Sequence, residues 1–142
     1  MIIDLRNRIL LFILPLNLTF VFTQDYSPKS SGEVVKYNYY SLSYNEYHEQ
    51  ANWVYYKLNN LMLNGTAKRT NNFRIDYNIS SKSSSPNDYK GSGYDRGHLA
   101  PAGDMKINSR AMSESFLMSN VSPQIPSFNR GGWNKLESLI RM

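Results

Sequence analysis

The sequence predicts an α+β domain. Short aromatic or β-branched runs bounded by Asn, Gly and Pro fill its middle, and two stretches of helical spacing close it. A length of 142 residues sets one domain as the ceiling. The chain has no cysteine, so packing alone must hold the fold, and disulfides, thiolate metal sites and a lipid-modified cysteine are excluded.

Residues 1–23 have the layout of a secretory signal: Arg6 and Arg8 precede the mostly apolar run Ile9 to Phe22. That run has 14 residues, short of the roughly 20 that span a bilayer. Cleavage is expected near Thr23 or Gln24, with a secreted or periplasmic product and no stable membrane association afterwards. The formal net charge is +5, and loss of Asp4, Arg6 and Arg8 with the signal leaves 14 basic and 10 acidic residues, or +4. Such a balance suits a polyanionic partner without requiring one.

Residues 24–44 read as an extended lead-in, Ser-, Pro- and Gly-rich up to Lys36, ahead of a domain over 45–142. The tyrosines of Tyr37 to Tyr47 nearly alternate, as on an edge strand that covers a core, although stacking on bases is an alternative. Trp53 to Leu58 reads as a strand, Asn64-Gly65 as a turn, and Arg69 to Asp76 as a half-buried strand or extended loop. A Ser-rich loop from Ser80 to Asp88 leads into Gly91-Ser-Gly-Tyr-Asp-Arg-Gly-His-Leu-Ala-Pro-Ala-Gly-Asp-Met-Lys106. Ser109 to Leu117 predicts a short helix opened by a capping serine, and Ser119 to Gln124 an extended segment. From Phe128 onward, Asn129, Trp133, Leu136 and Ile140 fall at spacings of 4, 3 and 4, the stripe of one helical face, with the three apolar members expected to pack inward.

The glycine-rich stretch concentrates chemistry. His98 is one of two histidines in the chain, and Arg96 offers a planar fork suited to phosphate. Phosphodiester hydrolysis needs an activated water and a cation to take up charge on the phosphoryl oxygens. A neutral histidine can accept the proton, but general base catalysis contributes roughly 10²–10⁴ where enzymes reach at least about 10⁶. Without cysteines, the natural complement is a hard divalent cation on oxygen ligands, for which Mg²⁺ is suited. His48 lies in no motif and reads as a surface residue.

The run Asp95-Arg96-Gly97-His98 resembles the signature of the DNA/RNA non-specific endonuclease family, whose core is the ββα-metal (His-Me finger) unit with a mixed or antiparallel sheet. Ser119-Asn-Val-Ser-Pro-Gln124 and Phe128-Asn-Arg-Gly-Gly-Trp-Asn-Lys-Leu-Glu137 resemble the family's next two blocks, in order. The resemblance implies His98 as general base, Arg96 on the phosphate and Asn120 orienting the site, with Gln124 supporting the backbone. It implies Asn129 as ligand of one Mg²⁺, with Mn²⁺ as an alternative, and Glu137 holding that ion through water. Arg130 is a further candidate for contact with the nucleic-acid backbone. Asp95 and Asp104 are assigned structural roles. The implied activity is cleavage of DNA and RNA with little sequence preference, leaving 5′-phosphate and 3′-hydroxyl ends; a homodimer stays open.

Each role has a plainer alternative: His98 as a structural histidine, Glu137 as a helix-surface carboxylate, and the whole chain as a relative that only binds nucleic acid through Arg96, Arg110 and Arg130. Members of the family continue past this helix, whereas the stripe is still running at Met142 with no glycine or proline stop, so a C-terminally truncated domain is expected.

Overall fold

The computed structural model describes residues 28–142, and the export segment expected over 1–23 lies outside the described residues. Three antiparallel strands come first, β1 Glu33–Lys36, β2 Ser41–Asn45 and β3 Gln50–Tyr55, ordered β1-β2-β3. Part of the expected lead-in thus belongs to the sheet. The tyrosine-rich run expected at an edge supplies its central strand, hydrogen-bonded to β1 along one edge and β3 along the other, with Leu42, Ser43 and Tyr44 buried in succession. Strand β3 begins before Trp53 and ends at Tyr55, short of the expected Leu58.

Asn59 then acts as a cap: its side chain accepts from the Met62 amide at 3.0 Å and opens the single-turn helix α1, Asn60–Leu63. Residues 69–76 stay extended and pair only through an isolated parallel bridge between Arg74 and Leu117. The Ser-rich loop ends in a 3₁₀ turn, Pro86–Tyr89, that leads toward the second sheet.

That sheet is β4, Asp95–His98, against β5, Val121–Gln124, antiparallel with His98 opposite Val121. The chain between them forms a 3₁₀ turn, Ala102–Asp104, and helix α2, Ser109–Glu114. The cap of α2 is Asn108, whose side chain accepts from Ala111, rather than the expected Ser109. Neighbouring α2 residues feed two apolar clusters: Ala111 joins Leu42, Tyr44, Met62 and Met105 over the first sheet, and Met112 joins Ala102, Phe116 and Phe73 beneath β4.

After β5 the chain makes a π-helical turn, Phe128–Trp133, that runs into α3, Asn134–Ile140. The expected inward stripe fails here. Leu136 and Ile140 are 45% and 58% exposed, while Trp133, Glu137 and Arg141 are half-buried. A π turn takes up an extra residue relative to an α turn, so the helical phase slips and a stripe read at 3.6 residues per turn rotates off the core.

One buried amide joins these parts. Asn120 is fully buried; its Nδ2 donates to the carbonyls of Ala100 and Ser115, both at 2.9 Å, and its Oδ1 accepts from the Ala100 amide at 2.8 Å. The Leu99 amide donates to its backbone carbonyl at 2.9 Å. The exit of β4, the end of α2 and the start of β5 are thereby held together. Gln124 lies across Gly97, where an added Cβ would meet its side chain at 2.2 Å. Replacing Asn120 by Ala leaves buried backbone groups without partners, at about 1–3 kcal/mol each. Asn120→Ala is therefore expected to lower unfolding stability by about 3 kcal/mol or more in urea titration.

Candidate active site

His98 sits at the end of β4 with 8% exposure, its ring edge-on to Phe116 at 4.9 Å and tilted against Phe73 at 5.3 Å. Its Nε2 is buried without a hydrogen-bond partner. Burial first, then the charges of Arg69 and Arg96, pull the imidazole from its usual 6.5 to about 4, so it stands neutral at pH 7.

The face of His98 that remains open borders a cavity of about 330 Å³, lined also by Arg69, Arg96, Asn129, Arg130, Asn134 and Glu137. The two blocks that lie apart in sequence therefore meet on one hollow. Arg96 is exposed, its guanidinium 4.2 Å from the centre of the Phe73 ring, and has no carboxylate partner among the described residues. Stacking fixes its plane and leaves its donors free.

Arg69 is the site residue that sequence reasoning missed. It reaches the cavity from the extended loop before β4, 4.9 Å from the centre of the Phe116 ring, and its Nε donates to Asn71 at 2.8 Å. Burial lowers its pKa, and the Glu137 charge opposes that shift. No local motif marks it; the only signal was a basic residue opening a run with alternating Phe73 and Ile75.

Asn129 and Arg130 are organised by Asp95. The Asn129 Nδ2 donates to Asp95 Oδ2 at 3.0 Å, and Arg130 donates through Nε at 2.8 Å and Nη2 at 2.6 Å. These bonds, Arg130 first, hold the Asp95 carboxyl below the usual carboxylate range. Arg130, a candidate for free phosphate contact, has thus committed two donors to Asp95, though it still borders the cavity. Arg110 pairs with Glu114 at 2.8 Å and does not line this cavity.

Asp104 is structural as well. It is 1% exposed, accepting from the Tyr56 hydroxyl and from Arg141 Nη1, both at 2.7 Å. Glu137 sits on the cavity side of α3 with Arg141 Nη2 at 3.7 Å; burial raises its pKa, opposed by Arg141. Asn120, expected among the catalytic set, does not line the cavity; its hydrogen-bonding groups all serve the backbone, so its place is to position the turn after His98.

The donor set fits a hard divalent cation. With its amide nitrogen on Asp95, Asn129 keeps its Oδ1 for another partner, and Glu137 adds a carboxylate across the same cavity. Among the described residues no three His, Cys, Asp or Glu side chains cluster to form a cage. A site of few oxygen donors suits an ion such as Mg²⁺ that keeps much of its water.

A family model described as DNA/RNA non-specific endonuclease matches residues 20–142. The chain is 43% identical over 106 residues to a nuclease of Nostoc sp., covering 73% of this chain and 38% of that protein. It is 39% identical to human mitochondrial nuclease EXOG, covering 80% of this chain and 32% of the relative, and 39% identical to human mitochondrial endonuclease G, covering 72% and 35%. A solved structure of EndoG in complex with EndoGI superimposes with a TM-score of 0.72 at 32% identity over 79% of this chain and 48% of that one. The chain thus spans about a third of the length of these curated relatives. With the family match over 20–142 and the α+β arrangement of antiparallel sheets in agreement, the chain belongs to the DNA/RNA non-specific endonuclease family.

Proposed function

We propose that the chain is the catalytic part of a metal-dependent endonuclease that cleaves DNA and RNA with little sequence preference. The observation that carries this reading is the buried neutral His98 flanked by Arg69 and Arg96, on the same cavity as Asn129 and Glu137. Arg69 and Arg96 bind the phosphate at the point of cleavage and take up its developing negative charge. Because Nε2 is buried without a partner, Nδ1 of His98 is the ring nitrogen assigned to accept a proton from the attacking water, which requires the Nε2–H tautomer. Water oxygen bonds to phosphorus, the bond to the 3′ oxygen breaks, and that oxygen takes a proton from solvent, leaving 5′-phosphate and 3′-hydroxyl ends. Asn129 through Oδ1, and Glu137 through water, would hold Mg²⁺, or Mn²⁺ in its stead, and the ion when bound would supply Lewis acidity.

The low pKa of His98 fits this assignment once substrate is considered. Both arginine charges that help to depress it are offset when a phosphate anion binds, so the base strengthens when its proton acceptor is required. Glu137 faces the same charges and contributes its own half-buried carboxylate. The export reading of residues 1–23 belongs to the same proposal, with a secreted or periplasmic enzyme as the product.

Purified protein is expected to smear plasmid and RNA in Mg²⁺ and to stop in EDTA. His98→Ala should lose roughly 10²–10⁴ in kcat/KM; a His98→Ala protein that cuts like the parent would show the base to be elsewhere, and retention of nucleic acid without cutting in the parent would favour a binding role. The pH profile supplies an independent check. Activity requires neutral His98, so it falls as pH drops through the His98 pKa. The acid limb of kcat/KM, which reports the free enzyme, should lie well below 6.5, and Arg69→Ala should move it upward by removing one of the depressing charges.

A further inference from the structure

The cavity at His98 shares part of its wall with a second hollow. Arg96 and Asn129 border both, and the second, of about 490 Å³, has walls that include Phe73, Lys90 and Tyr94. Tyr94, with Tyr89, in turn borders a third hollow of about 530 Å³ on the far side. Arg96 therefore divides the first hollow from the second, and Tyr94 divides the second from the third.

Tyr94 is an exposed aromatic carried on a fixed turn. Its ring is half-exposed and stacks on no other aromatic ring among the described residues, yet its backbone is fixed. Gly91 and Gly93 take left-handed conformations at φ +73 and +81, and Ser92 ties the turn on both sides: its hydroxyl donates to the Tyr89 carbonyl at 2.9 Å and accepts from the Tyr94 amide at 3.1 Å. An apolar ring held out on a pinned turn forgoes burial that a flexible side chain could have found.

Charge distinguishes the two hollows beside it. In the second, Lys90 is an exposed cation without a carboxylate partner among the described residues, and the only carboxylate in the wall, Asp95, is already bound by Arg130 and Asn129. The third hollow carries Glu49 and Asp88, which repel phosphate. A sugar-phosphate chain passing Arg96 is thus steered along Lys90, with Tyr94 as the flat apolar face next to it.

We propose that the nucleotide adjoining the cleaved bond lies in this second hollow, its phosphate on Lys90 and its unpaired base stacked on Tyr94, so that the groove grips single-stranded nucleic acid. The proposal rests on the nuclease reading for what the chain binds. In a duplex both faces of each base are already stacked on neighbours, so the ring has nothing to cover; in a single strand every base has a free face, and stacking of this kind is insensitive to sequence.

The test is fluorescence anisotropy of a labelled 12-nucleotide single strand on the full chain in EDTA, with the strand checked for integrity on a gel afterwards. Tyr94→Ala is expected to bind roughly ten-fold more weakly and Tyr94→Phe like the parent. Lys90→Ala should reduce the slope of log affinity against log salt by about 0.7, the contribution of one phosphate on a single strand. A fully abasic strand of the same length and the matching duplex should be bound equally by the parent and Tyr94→Ala. Parental affinity of Tyr94→Ala for the single strand, or an equal loss on the abasic strand or on the duplex, would overturn the proposal. Cleavage is scored separately: a protein that grips the strand through Tyr94 but never cuts it counts against the nuclease reading and not against the groove.

Discussion

Two carboxylates from one short stretch hold one helix by both ends, and the site depends on that constraint. Asp95 binds Asn129 and Arg130 where the π-helical turn begins, and Asp104 binds Arg141 where α3 ends. Between them the Trp133 indole donates to the His98 carbonyl at 3.2 Å. The helix is thus tied to the His98 stretch at three points along its length. Its cavity face is polar, so apolar burial alone could not set its position. The two pairs differ in energetic character. Arg130 is 73% exposed, so its pair with Asp95 fixes geometry more than it stabilises. Asp104 is 1% exposed, so without Arg141 its buried charge would keep only the Tyr56 hydroxyl as a partner.

Asp95 does more than anchor. An ionised carboxylate only accepts hydrogen bonds, so it selects the amide end of the Asn129 side chain and turns the oxygen away from itself. The orientation of a candidate metal donor is therefore set by a residue that touches no metal. Gly103 serves Asp104 in a comparable way: an added Cβ would come within 3.0 Å of the Arg141 guanidinium. The acids of the glycine-rich stretch act through α3, and the cations and histidine act on the cavity.

What could be read in advance follows from how local each feature is. Asp95 to His98 was legible because a charge pair, a glycine and a histidine stand in four consecutive positions, and the blocks around Asn120, Asn129 and Glu137 were legible as ordered partners of that run. The face of α3 was not, because a π turn leaves no mark on a pattern read at 3.6 residues per turn. Nor was the central place of β2, which depends on cover from β1 and β3 rather than on its own alternation. Arg69 was hidden for the opposite reason to His98: it reaches the site from an extended loop, and only tertiary packing over Phe116 brings it there.

The electrostatics of the cavity show why such a site resists reading from local preference. Arg69, Arg96 and Arg130 share the cavity with one buried imidazole and one half-buried carboxylate; burial, then the charges of Arg69 and Arg96, lowers the pKa of His98, while burial lowers that of Arg69 and raises that of Glu137. His98, Arg69 and Glu137 are held away from full solvation by packing fixed elsewhere, with Phe116 beneath Arg69 and Asn120 behind the turn after His98. A bound phosphate relieves the mutual repulsion of the cations. A polyanion bound in the cavity would thus offset the positive charge gathered there.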